Sequence, residues 1–154
     1  MPHVLETRVP PPVVLLFAAG LMWGLARLSP ALRWTWPGAA WLAALLAIAG
    51  LALNLAPKWW FGRAGTTVNP LRPHAVRQLV MTGPYRFSRN PMYLGHALLL
   101  LAWASMLGHP PGLIGVAFYL AWVTRFQIRP EERVLAARFP QAYADYRGRV
   151  RRWL

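Results

Sequence analysis

Four apolar runs dominate the pattern of hydrophobic and polar positions along the chain. They cover residues 13–28, 38–56, 92–107 and 112–128. Each run has about 16 to 19 residues, close to the ~17–25 that a helix needs to cross a bilayer. Between their flanking basic residues, such as Arg27 near the end of the first run, the first three runs contain no charged side chain, and the fourth contains none before Arg125. The pattern therefore predicts one domain, an all-α integral membrane protein with about four transmembrane helices.

Basic side chains are concentrated in only some of the connections. The chain has 17 Lys and Arg against 4 acidic residues, a net charge of +13. Six basic residues lie between the second and third runs and eight follow from Arg125 onward, whereas none lies between the third and fourth. This asymmetry predicts cytoplasmic termini and membrane lipids as the partner of the basic surface. It argues against nucleic acid as a partner, and it says nothing about oligomeric state.

Two polar segments flank the last two runs. Residues 57–91 are a long connection rich in turn-forming residues, and a loop of this length in a small protein is usually functional. Beyond Pro130, apolar residues recur at helical intervals of three and four. Residues 130–154 are therefore predicted to form amphipathic, cytoplasmic helices that lie on the membrane surface, with Pro140 breaking the helix near Phe139.

The connection GHPPG between the last two runs predicts an antiparallel hairpin. The hairpin places the segment LVMTGPYRFSRNPMYLG, which enters the third run, beside IRPEERVL, which leaves the fourth. The second segment holds Glu131 and Glu132, half of all the acidic residues. Acids in the first turn of a helix also complement its dipole, so the pair has a structural interpretation as well as a chemical one.

These segments resemble the two signature regions of the isoprenylcysteine carboxyl methyltransferase family and its phospholipid methyltransferase relatives. The first matches the form L-V-x-x-G-x-Y-x-x-x-R-[HN]-P-x-Y-x-G, and EERVLAARFPQAYADYRGRV matches E-E-x-x-L-x-x-x-F-[GP]-x-x-Y-x-x-Y-x-x-x-V. The family consists of integral-membrane enzymes that use S-adenosylmethionine. The resemblance covers about half of the chain, from Leu79 onward.

The resemblance implies a cofactor-binding loop at residues 57–91 and a role for each matching residue. Asn90 stands where eukaryotic carboxyl methyltransferases have His, and Gln127 stands where they have a substrate-binding Arg. We expect Arg125 and Arg129, which flank Gln127, and Glu132 to act on the acceptor as catalytic residues. The residues expected to bind S-adenosylmethionine are Gln78, Leu79, Val80, Tyr85, Asn90, Pro91, Met92, Tyr93 and Glu131.

The predicted function is methyl transfer to a lipophilic acceptor, with carboxyl methylation of an isoprenylcysteine-like substrate as the first candidate. A phospholipid, a small amine or a thiol is the alternative acceptor, and a non-catalytic membrane scaffold is the alternative from another class. No metal site is expected, because cysteine is absent and the histidines lack metal-ligand spacing. The abundance of Arg over Lys suggests a bacterial protein, and hence the inner membrane.

Overall fold

The structure, a computed structural model, describes residues 6–63 and 79–154. Every regular element within these ranges is helical and none is a strand, so the all-α prediction is confirmed for the described chain. The α-helices are α1 (Pro11–Leu28), α2 (Ala39–Arg63), α3 (Pro91–Leu107), α4 (Leu113–Val123), α5 (Arg129–Arg138) and α6 (Pro140–Arg149). Short 3-10 helices cover Pro30–Leu32, Gly83–Arg86 and Pro110–Gly112.

Helices α1, α3 and α4 pack around one apolar core, and α2 packs chiefly against α3. Met22, Leu100 and Tyr119 are among the largest fully buried side chains of this core. The Tyr119 hydroxyl is satisfied inside it, because His96 Nδ1 lies 2.6 Å away. The hydrogen bond connects α3 to α4, so His96 is a hydrogen-bonded packing residue of the core.

Two glycines set the closest approach between helices. A Cβ on Gly50 of α2 would lie 2.8 Å from the Gly95 carbonyl oxygen, and one on Gly95 would lie 2.6 Å from that of Gly50. Small residues at such a crossing allow two backbones to touch. The spacing of Gly20 and Gly24 in α1 also predicts a packing face, but nothing described lies within 4 Å of a Cβ at either position. That prediction is wrong within the described chain.

Among the described residues, two helices are long and apolar enough to cross a membrane, Pro11–Leu28 and the stretch Ala39–Pro57 of α2. Helix α3 is apolar but shorter. Large apolar side chains on α1 and α2 face outward, with Leu16 71% and Trp41 82% exposed. Extended apolar surface of this kind is typical of a membrane or protein contact. The first two predicted spans are therefore supported by length and composition, and the count of four stays a prediction.

The second predicted span, residues 38–56, agrees with the apolar stretch Ala39–Pro57, although the helix itself is longer. Helix α2 continues through Pro57 to Arg63. An internal proline removes one i→i−4 hydrogen bond and can bend a helix without ending it. The predicted hairpin is confirmed, because α3 and α4 pack against each other. Gly108 ends α3 in the left-handed conformation (φ 56°), and Pro110–Gly112 turns the chain into α4.

Helices α4 and α5 are joined by a π-helical turn, Thr124–Ile128. The sequence predicts that a separate helix starts at Pro130, but Pro130 lies inside one continuous helical rod. The wider turn accommodates it, since the Arg129 N–H reaches back five residues to the Thr124 carbonyl. The predicted break at Pro140 is confirmed: Phe139 leaves the helical region (φ −131°, ψ 61°) between α5 and α6.

Candidate functional site

A hydrogen bond joins the two sequence motifs at one end of the helix bundle. Tyr93 lies in the first turn of α3 and is buried, and its hydroxyl donates to Glu131 Oε1 over 2.7 Å. Glu131 lies in the first turn of α5. Hydrogen bonds to a carboxylate are roughly twice as strong as neutral ones. The prediction that the hairpin brings these two residues together is confirmed by this contact.

The carboxyl group of Glu131 lies in a poorly hydrated environment. Burial raises its pKa from the ordinary 4.5 to about 7, an effect that the Tyr93 hydrogen bond opposes and the neighbouring Glu132 reinforces. Burial disfavours the charged form of an acid, which is the physical reason for the direction. Glu131 is therefore close to half-ionised near neutral pH, a state that a cationic ligand would shift toward the carboxylate.

Tyr85 is a second tyrosine close enough to feel the charge of this carboxyl group. It belongs to the 3-10 helix Gly83–Arg86, which starts at a glycine with φ 59°. Burial raises the pKa of Tyr85, and the negative charge of Glu131 raises it further. The Tyr146 hydroxyl of α6 donates to the Tyr85 carbonyl oxygen over 2.8 Å. Two phenol rings thus lie near the Glu131 carboxylate, and α6 holds one of them in place.

Glu132 has different partners from its neighbour. Arg152 binds it through two nitrogens, Nε to Oε1 at 3.1 Å and NH2 to Oε2 at 2.7 Å. Arg89 NH1 lies 3.1 Å from the same Oε1 and also donates to the Tyr143 hydroxyl over 3.2 Å. The side chains of Arg89 and Glu132 are only 10% and 15% exposed. We call these four residues the Glu132 cluster.

Hydrogen bonds join the segment after α6 to the loop that leads into α3. The Arg89 N–H donates to the Arg151 carbonyl, and Asn90 Nδ2 donates to the Arg152 carbonyl, both over 3.0 Å. The Ser88 hydroxyl accepts from the Asn90 N–H over 3.1 Å. Asn90, predicted to bind the cofactor, therefore uses its side-chain amide to hold the chain beyond α6.

The remaining predicted site residues lie around the end of the helix bundle that holds Tyr93 and Glu131, which we call the rim. Leu79 and Val80 are partly buried and precede the 3-10 helix, Pro91 is buried as the first residue of α3, and Met92 beside it is partly buried. Gln78 and residues 64–77 of the loop lie outside the described residues. The roles predicted for all of these residues stay predictions.

The three predicted acceptor residues differ in their surroundings. Arg125 NH1 lies 2.9 Å from Glu6 Oε1, so its charge already has a partner, and Glu132 belongs to its own ion-pair cluster. The Arg129 side chain is exposed, and the described residues give its guanidinium neither a hydrogen bond nor an ion pair. Gln127 is fully buried and its side chain donates to the Val9 carbonyl.

Sequence reasoning missed Glu6, Arg89 and Arg152 as members of this rim. Glu6 pairs with Arg125 and with Arg133. Its signal in the sequence was scarcity: with only four acidic residues in the chain, each is a candidate ion-pair partner. Arg152 follows the second motif by only a few positions, but nothing in the spacing indicates which acid it binds.

The arrangement suits the binding of a small organic cation. A carboxylate of raised pKa stands next to two phenol rings, and aromatic faces attract cations as the carboxylate does. The adjacent arginines Arg89 and Arg152 both pair with Glu132. The negative charge of Glu131 is therefore not cancelled by an ion pair with either of them.

Comparison with known proteins gives a consistent family assignment. The family described as phospholipid methyltransferase matches residues 39–142, which is 104 of the 154 residues. An uncharacterized protein of Haemophilus influenzae is 41% identical over 63 residues, which are 41% of this chain and the whole of that protein. No solved structure matches the chain.

Proposed function

This chain belongs to the phospholipid methyltransferase family, and we propose from that premise that it transfers a methyl group from S-adenosylmethionine to a lipophilic acceptor at the membrane surface. The family implies methyltransferase activity, and the apolar helices support association with a membrane. The observation that carries the proposal is the Tyr93–Glu131 hydrogen bond, which joins the two motifs into one partly buried anionic site.

The residues at this rim fit the proposed cofactor. S-adenosylmethionine bears a sulfonium and an ammonium, both cationic, and the carboxylate of Glu131 has no arginine paired with it in the described chain. Tyr85 and Tyr93 provide aromatic faces beside that carboxylate. We propose that Glu131 binds the cationic part of the cofactor and that the loop residues predicted from the sequence complete the site.

When bound, S-adenosylmethionine would supply an activated methyl group for in-line attack by an acceptor atom, with the thioether of S-adenosylhomocysteine as the leaving group. The protein's part in such a reaction is positioning, because holding two reactants in near-attack geometry lowers the barrier substantially. Tyr93 orients the Glu131 carboxylate through a 2.7 Å hydrogen bond. The Glu132 cluster holds the loop before α3 against the segment after α6, and so keeps Tyr85 and Tyr93 in register.

Among the three predicted acceptor residues, we propose Arg129 for contact with the acceptor. It is exposed two residues before Glu131 on α5 and has no acidic partner in the described chain, whereas Arg125 pairs with Glu6. An exposed guanidinium binds a carboxylate or a phosphate well. This favours a lipophilic acceptor that carries an anionic group, such as an isoprenylcysteine-like carboxylate. The amine of a phospholipid headgroup is the second candidate, favoured by the family's description.

The topology follows as part of the same proposal. Four spans, with both ends of the chain and the Tyr93–Glu131 site on the cytoplasmic side of a bacterial inner membrane, would give the cofactor access from water and the acceptor access from lipid. The basic side chains at this rim, Arg129 and Arg133 on α5 among them, would face anionic headgroups. The rod formed by α4 and α5 would leave the bilayer near its π turn.

The test is methyl transfer by the purified full chain in lipid nanodiscs. Radiolabelled S-adenosylmethionine is supplied with three acceptors in parallel: a prenylated cysteine analogue, phosphatidylethanolamine and a small thiol. We expect label in a lipophilic product, lost in Glu131→Gln and kept in Asp145→Asn, whose exposed carboxylate accepts a hydrogen bond from Gln141 of its own helix. A folded wild-type protein that binds no S-adenosylmethionine at millimolar concentration would refute the proposal.

A further inference from the structure

The segment before α1 crosses the π turn that joins α4 to α5. The Thr7 N–H donates to the Phe126 carbonyl oxygen over 2.9 Å, and Gln127 Nε2 donates to the Val9 carbonyl oxygen over 2.6 Å. The two partners of this segment, Phe126 and Gln127, both lie within the turn Thr124–Ile128. The segment Glu6–Val9 is therefore attached to the helix directly ahead of Glu131, at two successive residues.

Pro130 explains why this attachment is possible. In an unbroken α-helix the N–H of residue 130 would donate to the carbonyl of residue 126. Proline has no N–H, so the Phe126 carbonyl is left for the Thr7 N–H. Thr7 reaches it with a positive φ of 56°, which is uncommon for a residue with a side chain. The surrounding contacts hold this conformation.

Glu6 then bridges two arginines on either side of Glu131 in sequence. Its Oε1 accepts from Arg125 NH1 over 2.9 Å, and its Oε2 pairs with Arg133 NH2. The side chain of Glu6 is only 9% exposed, although those of Arg125 and Arg133 are 43% and 57% exposed. One carboxylate thus connects the π turn to the second turn of α5.

The π turn makes the bridge geometrically possible. Residues eight apart in a regular α-helix lie about 80° apart around the axis, and one extra residue in the turn brings them to within about 20°. Arg125 and Arg133 consequently face the same side, where Glu6 lies. The same extra residue rotates all of α5 by about 100° relative to α4, so it also determines the direction in which Glu131 projects.

From this geometry we infer that Glu6 is a positioning residue for the methyl-donor site: by tying Arg125 to Arg133 across the π turn, it fixes the rotation of α5 that points Glu131 at Tyr93. This inference rests on the proposed function. Glu6 does not touch the reacting groups. It acts through the helix. On this account the segment Glu6–Val9 is part of the active-site framework.

The test measures ligand charge recognition by the folded full chain. Calorimetry in detergent at pH 8 gives the affinity ratio between S-adenosylmethionine and its uncharged-sulfur product, S-adenosylhomocysteine. We expect Glu6→Gln to weaken S-adenosylmethionine about tenfold, since small displacements at a reacting centre are costly, and to change S-adenosylhomocysteine less than twofold. Glu6→Asp, which keeps the charge, should restore part of the ratio. Asp145→Asn is the matched control and should leave the ratio unchanged.

A purely structural role for Glu6 predicts a different result. It would lower the thermal midpoint and weaken both ligands equally, and an unchanged ratio in Glu6→Gln would overturn the inference while leaving the proposed function intact. If Glu6→Gln does not yield folded protein, Arg133→Gln removes half of the bridge at an exposed position and should shift the ratio in the same direction by a smaller factor. A wild-type chain that binds neither ligand would refute the proposed function and this inference together.

Discussion

The surroundings of Glu131 and the Glu132 cluster, adjacent in sequence, show what separates a ligand-binding carboxylate from a structural one. Glu131 has one hydrogen bond from a neutral phenol, a pKa raised to about 7 by burial, and aromatic side chains around it. Glu132 has two arginines within 3.1 Å and a bidentate contact to one of them. The same side chain therefore has an unneutralised charge at one position and a compensated charge at the next.

The difference follows from helix geometry and from what lies opposite. Successive residues on a helix point about 100° apart, so Glu131 faces the start of α3 while Glu132 faces Arg89 and the segment after α6. Glu131 and Glu132 therefore have separate roles, although they share one helical turn. The substitutions below should separate ligand binding at the first position from stability at the second.

Replacing Glu131 by Gln should have the largest effect on activity. We expect kcat/KM to fall at least about a hundredfold, because a charge-assisted contact to the cofactor is lost in a poorly hydrated site. Stability should not fall, since a neutral amide of the same shape avoids burying a charge. Methyl-transfer kinetics and thermal unfolding of the same preparation check both parts. Equal activity of the variant and the wild type would remove Glu131 from the mechanism.

Replacing Glu132 by Gln should have the opposite profile. Arg89, only 10% exposed, would lose its acidic partner, and breaking a largely buried pair costs about 2–3 kcal/mol after allowance for the more exposed Arg152. We expect a thermal midpoint lowered by roughly 5–10 °C and a modest change in cofactor affinity below the midpoint. Arg152→Gln is the companion variant and should lower the midpoint less, because Arg89 keeps its contact with Glu132.

The pH dependence should also belong to Glu131. Its pKa of about 7 means that its ionised fraction rises about tenfold between pH 6 and pH 8. Because the pKa in the folded state lies above the ordinary 4.5, this group favours folding when protonated, and that contribution is lost as pH rises through about 7. Affinity for S-adenosylmethionine should therefore increase about tenfold over this range while the apoprotein becomes less stable. Glu131→Gln should flatten both dependences.

Replacing Tyr93 by Phe should have the smallest effect of the four. It removes one hydrogen bond to Glu131, worth about 0.5–1.5 kcal/mol, and so should weaken cofactor binding about three- to tenfold at pH 7. That hydrogen bond lowers the pKa of Glu131, so its loss should move the midpoint of the binding–pH profile upward. An unshifted midpoint would show that Tyr93 does not act on the carboxyl group.

The sequence supports some of these features much better than others. The helices, the hairpin and the meeting of Tyr93 with Glu131 could be predicted, because helical periodicity and one short turn determine them. The π turn could not, since it depends on how Pro130 is accommodated within a packed rod. The ion pairs of Glu6 and the close contact between Gly50 and Gly95 could not be predicted either. Each depends on residues far apart in sequence and on the relative rotation of the helices.

The central claim is that Glu131 recognises the positive charge of the methyl donor, and one ligand comparison tests it most directly. Calorimetry at pH 8 compares S-adenosylmethionine with S-adenosylhomocysteine on the wild type, Glu131→Gln and Glu132→Gln, at a temperature where all three are folded. We expect the wild type and Glu132→Gln to prefer the charged S-adenosylmethionine by a similar factor, and Glu131→Gln to lose most of this preference. An undiminished preference in Glu131→Gln would contradict it.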